Sequence, residues 1–410
     1  MRPINLTEPA AENVRFYQVG QWPIWNLAFR PAFLGAGLLA LFSMGYWLLI
    51  LTGYAHWQLS MPATLWHAHE MMFGFAGFVA VGFLLTAAQT WTGVPSISGW
   101  RLMGLTLIWL AARGAFFFSI PSVSNINVYL VIGLQFLWWL GAIIVLANML
   151  IAAKSNNNYV FLFMLSALAA LNISYLWLVN LQKSALALSI VDTAILVMTI
   201  LVGVIAGRVV PFFTARGLEL SEQVRSPRLD KILLYCAVLG VSAFFISQVF
   251  VRSLNPGWIM SAVAALHLTR SFIWWNNKVF TVPLLWSLHV SYFALGVGLT
   301  LVALSFFSSV ILFSDALHMI TIGTISMMIL AMMSRVSLGH TGRQLCVPHA
   351  ISAAFGLMVI AAITRSLLPT VIGSPIAWRL SALCWLVAFS LFLLHYTPIL
   401  TRPRVDGRRG

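Results

Sequence analysis

The sequence predicts an all-α, polytopic transmembrane bundle of about twelve spans with both termini in the cytoplasm. Three observations predict it. Only 8% of the 410 residues are charged and 61% are hydrophobic, whereas a soluble domain carries roughly 25% charged residues. Apolar runs of about 20 residues, the length that crosses a bilayer, recur along the whole chain. Lysine and arginine concentrate in every second loop, as the positive-inside rule requires. The short alternating strands of a β-barrel are absent.

The first span, 32–51, follows the Arg30–Pro31 step, and the second, 64–90, opens on the stretch "WHAHEMMFGF". "GVP" separates the second span from the third, 100–119. The fourth and fifth, 127–153 and 159–179, flank Lys154 and three asparagines. The sixth, 186–212, leads into the arginine-rich loop before the seventh, 229–251, and "NPGW" marks the start of the eighth, 257–275. The remaining spans are 282–307, 311–336, 349–368 and 375–397, joined by short loops with no room for a soluble domain. The chain divides into a cytoplasmic N-terminal segment (1–31), a membrane domain (32–397) and a basic cytoplasmic tail (398–410). The segment up to Arg30 lacks the apolar core and cleavage site of a signal peptide.

With the N-terminus inside, Arg2, Arg15, Arg30, Arg101 and Lys154 fall on the inner side. So do Arg208, Arg216, Arg225, Arg228, Lys231, Arg270, Lys278, Arg335, Arg343, Arg402, Arg404, Arg408 and Arg409. Only Lys183, Arg252, Arg365 and Arg379 fall outside, 18 against 4, and Arg113 lies within a span. An odd span count would destroy this alternation. The net charge of +14 is thus spread over loops facing a lipid bilayer, and it does not indicate a nucleic-acid partner. Cys236, Cys346 and Cys384 are isolated and read as small core residues.

Ionisable groups within a membrane are costly and point to function. His56, His349 and His395 sit at loops or helix ends. The other six histidines form two depth clusters: His67, His69 and His318 near the outer ends of spans 2 and 10, and His267, His289 and His340 deeper or at the inner side. Residues two apart on a helix differ by about 200° in direction. A fully helical motif therefore turns His67 and His69 apart, with His67 on the side of Glu70; a helix starting after His69 lets both imidazoles converge. Span 2 reads His69-x4-Gly74-x2-Gly77 and span 10 reads His318-x4-Gly323-x2-Ser326. This echo suggests a metal or haem held between the two spans, or close packing at small residues. Arginines beside turn residues at the inner face (Arg208, Arg335, Arg343) suit carboxylates such as haem propionates, or lipid headgroups. Gly339, Thr341 and Gly342 around His340 predict a tight inner turn. No Walker loop, CxxCH or GxGxxG is present.

Several of these stretches together resemble the NnrS family: "FRPAFL" from Phe29, "WHAHEMMFGFAG" from Trp66, "GRVVPFFT" from Gly207, "PLLWSLH" from Pro283, and "ALHMITIGTISMMILAMMSRVSLGHTGR" from Ala316. The resemblance implies a twelve-span haem- and copper-containing protein of the bacterial inner membrane, linked to denitrification, nitric oxide metabolism and nitrosative stress. The matched motifs bring forward His67, His69, Glu70, His289, His318, His340, Arg208 and Arg335; His267 lies outside them. The expected arrangement is an outer centre, taken as copper, ligated by His69 and His318 with His67 adding to it. An inner centre of His289, His340 and His267 near Arg208 and Arg335 would hold haem b. The opposite placement of the two metals stays open. If the metals sit close together, the centre could reduce nitric oxide, with Glu70 supplying protons. A transporter of a small solute or metal complex, and a non-catalytic haem sensor or assembly factor, are the other classes. The electron donor and oligomeric state are not written in the sequence.

Overall fold

The computed structural model describes residues 16–57, 61–117 and 126–408. Arg2, Arg15, Arg409 and the end of the third predicted span at 118–119 lie outside the described residues. Every predicted span corresponds to one long helix: α1 (Phe29–Leu51), α2 (Ala63–Thr92), α3 (Gly99–Ala115), α4 (Ile126–Ala152), α5 (Tyr159–Asn180), α6 (Ser184–Gly217), α7 (Pro227–Val249), α8 (Gly257–Ile273), α9 (Pro283–Leu304), α10 (Phe313–His340), α11 (His349–Ser366) and α12 (Ser374–Thr401). Short one-turn segments join some of them, and no strand occurs among the described residues. Ten of the twelve are long and apolar enough to cross a membrane. The other two, α3 and α8, have 17 residues each, about 25 Å at 1.5 Å per residue.

The ends of the membrane unit differ slightly from the sequence expectation. α1 begins at Phe29, so Arg30 and Pro31 belong to it; proline is tolerated in the first helical turn, where its missing N–H has no partner to lose. α12 runs to Thr401. His340, expected in a turn, is the last residue of α10, and the left-handed backbone comes two residues later at Gly342 (φ 77°).

Most consecutive helices pack side by side, with α2 lying along α4 rather than α3, and the row closes on itself, because α12 packs against α1 as well as α11. At the closure, the guanidinium of Arg30 donates from Nη1 to the carbonyls of Leu400 (2.9 Å) and Arg402 (2.8 Å). The start of α1 and the end of α12 therefore lie at one end of the bundle, as an even number of spans requires. The centre belongs to α2, α6 and α10. In α2 and α10, 83% of the apolar window is buried, against 28% in α7. The peripheral helices turn residues such as Phe136, Leu239 and Leu394 outward, which suits a surface facing lipid rather than water. Glycine sets the closest approaches: a Cβ at Gly82 would lie 2.2 Å from Ala32 Cβ, and one at Gly298 would lie 2.6 Å from Ile320.

The two most buried helices share a departure from α geometry. α2 is π-helical over Glu70–Ala76 and α10 over Met319–Ser326. These segments start one residue after His69 and His318, so the sequence echo coincides with a structural one. π segments are rare and concentrate at functional sites.

A candidate metal site in a three-helix cavity

A cavity of about 450 Å³ opens between α2, α6 and α10. The stripe on α2 is Thr64, His67, Ala68, Met71, Met72, Phe75 and Ala76; that on α10 is Ser314, Leu317, His318, Thr321, Ile322, Ile325 and Ser326. Each α10 position is 250 residues after its α2 counterpart (314 − 64, and so on to 326 − 76). α6 adds Leu188, Val191, Asp192 and Ile195, each 126 before an α10 position (314 − 188). Three helices, four apart in the chain, thus present the same i, i+3, i+4, i+7 face to one space.

The π segments explain how the stripe stays in line. In an α-helix four residues overshoot one turn by about 40°. A π turn holds roughly 4.4 residues, so four residues undershoot by about 33°. A stripe of i, i+4, i+8 that begins in α and continues in π geometry therefore runs nearly parallel to the axis. The mouth is at the end that the charge pattern places outside, where Thr64, Leu188 and Ser314 are exposed; the floor, Phe75, Ala76, Ile325 and Ser326, is buried. From Thr64 to Ala76 the depth is about 18 Å at 1.5 Å per residue. Trp47 of α1, Arg365 of α11, and Trp378 and Trp385 of α12 complete the walls.

His67 stacks flat on Trp47, with ring centroids 4.6 Å apart, and its Nδ1 is buried without a hydrogen-bond partner. His318 donates from Nδ1 to the carbonyl of Ser314 at 2.6 Å. That bond fixes the tautomer and leaves Nε2 as the lone-pair nitrogen. Arg365 is held by an ion pair with Asp315, three residues before His318, and lies 4.7 Å over the Trp378 ring.

The structure does not bring His69 to His318. His69 and Glu70 turn away from the cavity into a buried polar network among α2, α3, α4 and α5. His69 Nδ1 donates to Glu70 Oε1 (2.8 Å) and its Nε2 meets Asn172 Oδ1 (3.0 Å), so both ring nitrogens are engaged by protein. Asn172 in turn donates to Gln135 (3.2 Å). Arg113 Nε lies 3.2 Å from Glu70 Oε2, and both side chains are almost fully buried. The pair is held by charge rather than by an aligned hydrogen bond, since no Arg113 N–H points at an acceptor. Gly74 leaves the room for it: a Cβ there would lie 3.1 Å from Glu70 Oε2 and 3.3 Å from Arg113 Nη1. Glu70, expected beside the metal, thus sits outside the cavity wall. It is His67 that shares the cavity with His318.

The expected inner group is dispersed. His289 Nε2 pairs with Thr214 Oγ1 of α6 (2.9 Å). His267 Nδ1 accepts from Tyr292 OH (2.6 Å), and that hydroxyl accepts from Arg270 Nε (2.5 Å). Arg270 also reaches Asp230 (2.9 Å) and the carbonyl of Gly203 (2.8 Å). His340 lies against Phe29, and its carbonyl accepts from Arg404 (2.9 Å). Arg335 sits 3.7 Å over the Phe213 ring, one residue from the His289 partner. Arg208 is bound elsewhere, to Asn158 (2.5 Å) and the carbonyl of Asn157, between Trp91 and Phe161. Among the described residues, no three His, Cys, Asp or Glu side chains converge as a metal site. The three cysteines are free.

From sequence, Asp192 counts only as one of three carboxylates in or near spans and Arg365 only as an outer basic residue; neither is assigned to a site. The signal that finds Asp192 is the repeated 188/191/192/195 spacing, which becomes meaningful only beside the α2 and α10 stripes. A family model described as NnrS protein matches residues 23–404 of the 410. No curated protein matches the chain.

Proposed function

Because the chain belongs to the NnrS family, we propose that it acts in nitric oxide metabolism by holding a histidine-ligated metal group in the α2–α6–α10 cavity and binding nitric oxide or a related small molecule there. The observation that carries this reading is the state of two imidazoles on one cavity: His67, buried with Nδ1 unpartnered, and His318, with Nδ1 committed to a carbonyl and Nε2 left free.

The residues fit such a group. A metal-bound imidazole typically donates its other N–H to a backbone carbonyl, which orients the ring and raises its basicity; His318 and Ser314 already have that relation. Two imidazoles with the thioethers of Met71 and Met72 below them form a donor set suited to copper, and either imidazole suits the iron of haem b. The metal, when bound, supplies an open coordination position for nitric oxide. The protein supplies the rest. The Ser314 carbonyl holds the His318 ring, Trp47 holds the His67 ring, and the apolar floor keeps water from the inner half. The separate inner centre has no comparable support, because His267, His289 and His340 each pack against different neighbours. The 18-to-4 distribution of basic residues supports an inner-membrane protein of a bacterium with both termini cytoplasmic and this cavity opening outward.

The test is an optical spectrum with iron and copper analysis of the purified protein. His67→Ala and His318→Ala are each expected to lower the metal of one class by at least about tenfold, since even an outer partner of a ligand costs 10- to 100-fold in affinity. His289→Ala should retain it. Full metal content in both cavity variants would refute the site. Consumption of nitric oxide under electron supply then separates turnover from binding.

A further inference from the structure

Among the described residues, four acidic side chains lie in the long helices: Glu70, Asp192, Asp230 and Asp315. Three of them have an arginine: Glu70 with Arg113, Asp230 with Arg270, and Asp315 with Arg365. Asp192 has neither an ion pair nor a hydrogen bond among the described residues, and it lines the cavity. It stands one turn below the exposed Leu188, where α2 carries Ala68 and α10 carries His318. The other ionisable groups on the cavity wall are His67, His318 and Arg365, and the Arg365 charge is already met by Asp315. With Asp192 ionised, as it is above neutral pH, and the Arg365–Asp315 pair cancelling, the wall carries one uncompensated negative charge.

We propose that Asp192 is the charge filter of this cavity, admitting neutral and cationic small molecules and turning back anions. A carboxylate in a narrow, apolar-walled space acts over its whole cross-section, because the surrounding low-dielectric protein focuses its field. Asp192 stands on the α6 wall between the mouth residue Leu188 and the deeper Ile195. A neutral diatomic gas is unaffected, whereas an oxyanion of similar size, such as nitrite, meets repulsion that in the metal-free cavity only the already-paired Arg365 could offset. The filter rests on the reading that small molecules enter this cavity from the outer end, and it gives that reading a substrate class.

The test uses the full-length protein with Cys236, Cys346 and Cys384 replaced by serine or alanine. A reporter thiol is placed below the filter (Thr321→Cys) or at the mouth (Ser314→Cys). Each is reacted, above neutral pH, with a cationic (trimethylammonium-ethyl) and an anionic (sulfonato-ethyl) methanethiosulfonate, and the rate ratio is normalised to that of a free thiol. At Thr321→Cys the cation is expected to be favoured by about tenfold or more, the effect of a unit charge well inside a Debye length. Asp192→Asn should bring that ratio to within about twofold of the mouth value, and Asp192→Glu should preserve it. Matching far-ultraviolet circular dichroism checks that each variant is folded, and Ser314→Cys supplies the mouth rate. A ratio at Thr321→Cys that ignores Asp192→Asn, or a Thr321→Cys that neither reagent reaches, overturns the proposal. Metal analysis of the same samples keeps the two readings apart. A metal-free protein with an Asp192-dependent ratio sinks the metal site alone, and a metal-loaded protein with an indifferent ratio sinks the filter alone.

Discussion

Removing Arg113 should destabilise the bundle far more than its single ion pair suggests, and removing Glu70 with it should restore much of the loss. Glu70 is 1% exposed and Arg113 6% exposed, with Nε–Oε2 at 3.2 Å. At an effective dielectric constant of about 20, two unit charges at that distance attract by about 5 kcal/mol. Most of this is offset by desolvation, so the intact pair contributes little net stability. A broken pair is different, because the survivor keeps its desolvation cost without its partner, typically about 3–5 kcal/mol. Arg113→Met leaves Glu70 facing only His69. Glu70→Gln leaves a guanidinium whose N–H groups already lack acceptors. Each single variant should lose about 3 kcal/mol or more, and the double variant should fall short of their sum by about 2 kcal/mol or more. The assay is a double-mutant cycle on reversible unfolding in mixed dodecyl sulfate and mild detergent micelles. Additivity within about 0.5 kcal/mol would show that the two charges do not depend on each other, and the network reading would be refuted. Any metal held at the proposed cavity site should be kept by folded variants, because neither residue lines the cavity.

Further outcomes follow from the glycines and from the inner end. Gly82→Ala puts a methyl group 2.2 Å from Ala32 Cβ and 3.1 Å from the Ala28 carbonyl, so α1 and α2 must separate; a loss of about 1–3 kcal/mol is expected in the same unfolding assay. Gly104→Ala, which meets open space, should instead stabilise by about 0.5–1 kcal/mol. At the inner end, Arg404 holds the Asp406 carboxyl well below the usual carboxylate range and also donates to the His340 carbonyl (2.9 Å). A lowered native value means that the contact is fully present above the usual range and is lost only as pH falls through the lowered one. Protection of the Val405 amide, bonded to the Thr341 carbonyl, should therefore persist on acidification through the ordinary carboxylate range. Asp406→Asn should abolish the protection at every pH.

The twelve helices were legible because each is a run of apolar residues whose length a bilayer fixes, and the basic residues marked which loops share a side. The direction of single side chains was not. The echo in the sequence pairs His69 with His318 and Gly74 with Gly323, an offset of 249 (318 − 69; 323 − 74), whereas the cavity stripe runs at 250. One residue of difference is about 100° of helix, enough to send His69 toward Asn172 and give the cavity to His67. A π segment cannot be read from residue types, since it changes the hydrogen-bond step and not the composition. The inner histidines illustrate a second limit. Depth placed them together, but the cross-section of the bundle, which no single helix encodes, sends His267 to Tyr292 and His289 to Thr214.

The comparison of α6 with α10 suggests why the polar groups of the cavity differ among its three walls. Asp192 and His318 hold corresponding places on the outer stripe. Toward the inner end, Gly207-Arg208-Val209 parallels Ser334-Arg335-Val336, but Arg208 is 16 residues from Asp192 (208 − 192) while Arg335 is 17 from His318 (335 − 318). The extra residue is the one that the π segment of α10 absorbs; α6 is α-helical throughout. The π segment cancels the roughly 100° that one extra residue would add, so the two arginine triplets keep the same phase relative to the outer stripes. Their surroundings differ because the two helices meet different neighbours at that depth: Arg335 packs on Phe213 of α6, within one residue of Thr214 and its His289 contact, whereas Arg208 points out to Asn158 and Phe161. A single inserted residue thus lets α10 carry π geometry beside the shared cavity without turning its inner face. The polar residues below the cavity floor are spent on holding helices together, and the free donor atoms lie above it.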